Sequence, residues 1–114
     1  MDIPPHILAR LMAIIEDRRE NPSERSYTTQ LFSRGAEQIG RKIIEEAAEV
    51  VEASHEEGSA GRDHLISEAA DLLYHLLVML GHRNIRLAEV EAELSQRFGV
   101  SGLAEKAARL PKDS

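Results

Sequence analysis

The stretch KIIEEAAEVVEASHEEGSAGRDHLISEAAD, Lys42 to Asp71, decides the fold. Read as helix at ~100° per residue, Glu45, Glu46 and Glu49 fall within one arc of about 100°, and Lys42 falls in the same arc. Glu68 and Asp71 are three apart and share a face of a second helix. Both clusters lie at nearly equal distance from the turn-like Gly58-Ser59-Ala60-Gly61. An antiparallel helix hairpin closed there brings the acids to the same height. Facing carboxylates without cations repel by on the order of several kcal/mol when buried, so the spacing points to a divalent cation between them. Oxygen ligands, no cysteine and scattered histidine favour Mg²⁺, with Mn²⁺ as the near alternative, over zinc or copper.

The plain competing explanation is that glutamates are good helix formers and face water. It accounts for any one of these acids better than for the set. Ile39, Ile43 and Val50, and Leu65, Leu72, Leu76 and Met79, run along the flank of each arc, so the acids border the apolar stripe.

Outward from the hairpin, the chain reads as all-α. Aromatic residues make up 4% of its 114 residues, and the apolar remainder is mostly Ala, Leu, Ile and Val, which suits helix packing better than a sheet. Pro4 and Pro5 open a first helix whose stripe is Ile7, Leu8, Leu11, Ile14 and Ile15, stopped at Asn21-Pro22. Asn21 to Thr29 is loop-like, and the hydroxyls of Ser26-Tyr27-Thr28 are expected to cap a helix. A short helix over 29–34 ends at Gly35. A long one from Ala36 to about Glu57 ends at Gly58 as its C-cap. The next runs from Arg62 or Asp63 to Leu80, with Gly81 as terminator, and is apolar on more than one side. Leu87 to Phe98 is amphipathic, residues 103–109 offer one or two further turns, and 110–114 are expected to fray. The sum is one domain over residues 1–114, a bundle of four or five helices. The central helix carries more apolar surface than thin neighbours can cover, which predicts a homodimer sharing one larger bundle.

A net charge of −6 and a pI near 5.3 argue against a nucleic-acid partner or an anionic membrane surface. Zero cysteines exclude disulfides, thiolate metal sites and thiol catalysis. No run approaches 18 apolar residues and no leader pattern opens the chain, so the expectation is a cytoplasmic protein.

Glu45-Glu46-Ala47-Ala48-Glu49 followed by Glu68-Ala69-Ala70-Asp71 resembles the Glu-Glu-x-x-Glu … Glu-x-x-Asp pattern of the all-α, MazG-like nucleotide pyrophosphatases. Ser26-Tyr27-Thr28, Leu31-Phe32 and Gly35, Asp71-Leu72-Leu73-Tyr74-His75-Leu76-Leu77-Val78 and Ser101-Gly102-Leu103-Ala104-Glu105-Lys106-Ala107 narrow the resemblance to the phosphoribosyl-ATP pyrophosphatases of histidine biosynthesis. It covers roughly residues 5 to 109, in a length that leaves no room for a fused cyclohydrolase domain.

The resemblance implies metal-dependent hydrolysis of phosphoribosyl-ATP to phosphoribosyl-AMP and pyrophosphate. On that reading Glu46, Glu49, Glu68 and Asp71 hold the metal, and Glu45 holds a second ion or orients the attacking water. Lys42 meets a phosphate, against the alternative of an ion pair with Glu46. Tyr27, Thr28, Arg34 and His75 face the substrate, with a buried structural histidine as the competing role for His75, and Lys106 and Arg109 close over it from the tail. The rival readings are a house-cleaning dNTP pyrophosphatase using the same acids, and a non-catalytic helical interaction module. A ferritin-like di-iron bundle wants two Glu-x-x-His motifs, and only Glu52 and His55 supply one.

Overall fold

A computed structural model describes residues 6–99. Four helices follow in order, α1 (Ile7–Glu20), α2 (Tyr27–Ala53), α3 (Gly58–His82) and α4 (Leu87–Phe98), and the described residues include no strand. The all-α bundle read from the sequence is the observed fold. The expected opening at Pro4 and Pro5 and the expected tail helix over 103–109 lie outside the described residues.

Ser26 caps α2, its hydroxyl accepting the Thr29 amide at 3.1 Å. Gly35 interrupts that helix with φ 85° and ψ −176°, so α2 consists of two helical segments across a kink. The break expected at Gly35 is present, and the first segment begins at Tyr27, two residues before the expected start.

Three boundaries differ from expectation, each because a glycine does something other than stop a helix. α2 ends at Ala53, four residues before Glu57. Gly58 does not cap it. With φ 78° it is the first residue of α3, which therefore starts at Gly58 and not at Arg62 or Asp63. Gly61 lies against the Glu56 carbonyl, where a Cβ would collide, and this allows the tight reversal. Gly81 does not terminate α3, which runs on to His82; a Cβ on Gly81 would meet Ile15 Cγ2 at 3.2 Å and Phe32 Cζ at 3.3 Å. The helix continues through it because α1 and α2 pack close there.

The core is Met12, Ile15, Leu31, Ile39, Leu77 and Val78, with Leu11, Phe32, Ile43, Tyr74, Met79, Leu80 and Leu87 packed around it. Burying a side chain of this size contributes roughly 1.5–3 kcal/mol. Arg19 Nη1 donates to the Gly81 carbonyl at 2.7 Å and ties the end of α1 to the end of α3. α4 buries no residue fully, and it begins with the Arg86 amide donating to the Glu89 carboxylate at 2.9 Å, one half of a capping box. Among the described residues of α3, Ile66, Leu73 and Leu76 stay exposed. No described helix is long and apolar enough to cross a membrane.

Candidate metal centre on the helix hairpin

The reversal between Ala53 and Gly58 sets α2 and α3 side by side and brings their acids level. Carboxylate oxygens of Glu46, Glu68 and Asp71 lie within 4.8 Å of one another. Glu46 is 8% exposed, Glu68 is half-buried and Asp71 faces solvent, so the group is a bowl with Glu46 as its floor. No lysine or arginine among the described residues forms an ion pair with any of the three.

The charge state of Glu46 follows. Its burial, then a proton shared with Glu68, then the charges of Glu68 and Asp71, push its pKa up to about 7, and Lys42 offsets this only in part. Burial and the neighbouring carboxyls together leave Glu46 partly protonated near neutral pH, and the three acids form a group that could hold a cation. The donors are oxygens of mixed burial, which fits Mg²⁺ or Mn²⁺.

Lys42 pairs with Glu45 at 3.4 Å, i to i+3, and not with Glu46. Partial burial opposes the charge on Lys42, but the bond to Glu45 and the nearby Tyr27, Glu45 and Glu46 outweigh it and raise the lysine's pKa. Glu45 itself is exposed and belongs to neither of the groups able to hold a metal.

Glu49 stands in a second group. Its carboxylate, His64 and Glu68 offer donors within 4.8 Å of one another. His64 Nε2 is 3.2 Å from Glu68 Oε2 and 4.0 Å from Glu49 Oε2, and His64 Nδ1 is 3.0 Å from both oxygens of Glu56. Glu68 is common to the two groups. His64 was not singled out from the sequence, although it stands four residues before Glu68 and so on the same face of the helix. Glu56 carries no comparable signal, because it lies in the turn between the helices.

Beside the hairpin, His75 is buried with both ring nitrogens engaged. Nδ1 lies 2.8 Å from the Asp71 carbonyl, which can only accept, so Nδ1 carries the proton. Nε2 then accepts from the Tyr27 hydroxyl at 3.1 Å. Thr28, also buried, hydrogen-bonds the Tyr74 hydroxyl, and the Tyr27 and Tyr74 rings stack at 6.2 Å. Burial raises the pKa of Tyr74, Thr28 opposes it and Tyr27 adds to it. Tyr27, Thr28 and His75 thus form one network, and His75 reaches the backbone of Asp71 directly. Arg34 is placed elsewhere, in an open cleft of about 310 Å³ with Glu37, Gln38 and Arg41. Lys106 and Arg109 lie outside the described residues.

Residues 8–98 match a family described as phosphoribosyl-ATP pyrophosphohydrolase. The chain is 53% identical over 105 residues to a phosphoribosyl-ATP pyrophosphatase of Rhodopirellula baltica, covering 92% of this chain and 88% of the relative. It is 50% identical to one of Cereibacter sphaeroides, over 90% of this chain and 97% of the relative. A third, of Geotalea daltonii, is 47% identical over 90% of this chain and 94% of the relative.

Proposed function

The chain belongs to the phosphoribosyl-ATP pyrophosphohydrolase family, within the all-α MazG-like superfamily, and from that premise we propose that its hairpin acids carry the reaction. The chain hydrolyses phosphoribosyl-ATP to phosphoribosyl-AMP and pyrophosphate, a step of histidine biosynthesis. The observation that supports placing the chemistry here is Glu46, buried and set against the carboxyls of Glu68 and Asp71, with Lys42 offsetting their charge only in part.

In this reading Glu46, Glu68 and Asp71 hold Mg²⁺, with Glu49 at the edge of the set. An ion held by these residues would supply charge neutralisation for the leaving pyrophosphate and would lower the pKa of a bound water. Lys42 meets a phosphate from the rim, and Glu45 fixes the lysine and orients the water. Tyr27, half exposed, offers its ring to the nucleotide while His75 holds its hydroxyl. Thr28 fixes Tyr74 behind it, and Lys106 and Arg109 bind the substrate's phosphates, a role the separate cleft of Arg34 does not support. The chain acts as a single domain. Ile44 and Val51, one heptad apart on α2, and Ile66 and Leu73, one heptad apart on α3, are exposed and support a homodimer. A phosphorylated nucleotide substrate supports a cytoplasmic site of action.

The test is pyrophosphate release from phosphoribosyl-ATP with Mg²⁺ and with EDTA, beside a panel of dNTPs. EDTA-sensitive release from phosphoribosyl-ATP with little from dNTPs is the expected result. Turnover of dNTPs alone would move the same acids to a house-cleaning reaction. Activity of an Asp71→Asn variant equal to that of the native chain would remove the acids from the chemistry.

A further inference from the structure

The hydrogen bonds that end at Tyr27 run in one direction. We propose that the Tyr27 oxygen takes a hydrogen-bond donor of the nucleotide, a sugar hydroxyl or the base amino group, and no phosphate oxygen, and that His75 is the positioning residue that sets this polarity. The inference rests on the reading of the hairpin as the nucleotide's site.

The direction is fixed from the buried end outward. The Asp71 carbonyl has no hydrogen to give, so His75 Nδ1, 2.8 Å away, donates to it. A neutral imidazole carries one ring hydrogen, which leaves Nε2 with a lone pair alone. The Tyr27 hydroxyl, 3.1 Å from Nε2, is therefore the donor of that bond. A phenol has a single hydrogen. Once it is directed at His75, the Tyr27 oxygen can only accept. His75 is 5% exposed, so bulk water does not compete for its nitrogens.

The phenol is also held in place while it stays open to a ligand. The Tyr74 ring stacks on it with centroids 6.2 Å apart and planes at 25°, and the His75 ring meets it edge-on at 5.9 Å and 88°. Thr28 bonds the Tyr74 hydroxyl and anchors the stack. Tyr27 is nonetheless 45% exposed, and it is close enough to Lys42 to help raise the lysine's pKa, which places it beside the rim of the acidic group.

The chemistry of the ligand decides what meets such an oxygen. Ionised phosphate offers acceptors alone, and two acceptors facing each other leave both unsatisfied. Ribose hydroxyls and the amino group of adenine have hydrogens to give. Tyr27 thus reads the nucleoside part of the ligand, and the phosphates fall to Lys42 and the cations of the tail.

Two measurements test this on the full chain at pH 8. Nitrogen NMR of the His75 ring is expected to show the hydrogen on Nδ1 and none on Nε2; the reverse tautomer would overturn the proposal. Calorimetry then compares phosphoribosyl-AMP, which needs no turnover to be measured, with analogues that each lack one donor: a hydroxyl of either sugar, or the amino group replaced by oxygen. The native chain is expected to bind one of these about 5–10-fold more weakly than phosphoribosyl-AMP, and the analogue affected tells sugar from base. Tyr27→Phe, which keeps the stacked ring, is expected to lose that preference and to bind the affected analogue as the native chain does. His75→Leu is expected to shrink the same preference, and Tyr27→Phe keeps the test intact where that variant unfolds. A Tyr27→Phe variant that retains the native preferences, or that weakens every ligand equally, would overturn the proposal and leave Tyr27 a packing residue. A native chain with the expected preference but no pyrophosphate release from phosphoribosyl-ATP refutes the proposed reaction and leaves this contact standing.

Discussion

At Glu46 one side chain links stability to function. Its pKa in the folded chain is about 7 against an ordinary 4.5. Below the lower value it is protonated folded and unfolded alike. Between the two, the unfolded chain has released a proton that the folded chain keeps, so stability falls as pH rises through this window. Above about pH 7 the full loss is felt. In EDTA, Glu46→Gln is therefore expected to match the native chain near pH 4 and to exceed it by up to about 2 kcal/mol at pH 8, in urea melts at both pH values. The same variant is expected to lose pyrophosphate release at least about 100-fold, since it removes the floor of the metal group. A helix face that merely meets water predicts neither effect. The acids of this group were legible in the sequence because i,i+3 spacing on two helices and one turn between them suffice to align them. His64 was half legible through its four-residue offset from Glu68. Glu56 was not, because it acts from a turn that no periodicity describes. A buried structural role for His75 is among those its sequence position suggests, but its bond to the Asp71 carbonyl depends on a ring orientation that only packing fixes.

Among the elements, the kink in α2 positions the Tyr27 and Thr28 segment against Tyr74 and His75 while the rest of the helix carries the acids. Gly35 makes it possible, with a φ of 85° and open space around its missing Cβ. Gly35→Ala therefore carries a backbone cost alone, expected at about 1–3 kcal/mol in denaturant melts, with turnover reduced as the Tyr27 network loosens. An equally stable variant would show that the kink is not required. Helix existence and type were readable from apolar spacing, but the ends were less so. Treating glycine as a stop signal succeeded at Gly35, where the backbone is left-handed. It failed at Gly81, whose role is to let α1 and α2 approach α3, and at Gly58, whose left-handed φ opens a helix. Close approach between elements is a tertiary fact, and one strand of sequence does not contain it.

For the whole molecule, the open question of coverage becomes a statement about surface. Ile44 is 72% exposed, Val51 59% and Ile66 55%, on the two helices that carry the acids. Patches of this kind on a small helical chain are expected to pair. Sedimentation of the native chain is expected to give a dimer, and Leu73→Glu a monomer or a much weaker dimer. A monomeric native chain at tens of micromolar would refute the shared bundle.

The short reversal between Ala53 and Gly58 also bears on how fast the chain folds. Contacts between neighbouring helices joined by a brief loop cost little closure entropy and form early. The barrier to folding is then crossed with Glu46, Glu68 and Asp71 already close together and mutually repelling. Whatever relieves that repulsion acts on the way up to the barrier, so Mg²⁺ is expected to speed refolding while leaving unfolding nearly unchanged. In stopped-flow traces the refolding arm rises with Mg²⁺ in the native chain and is insensitive to it in Glu46→Gln. A ligand that only locks the finished structure would slow the unfolding arm instead.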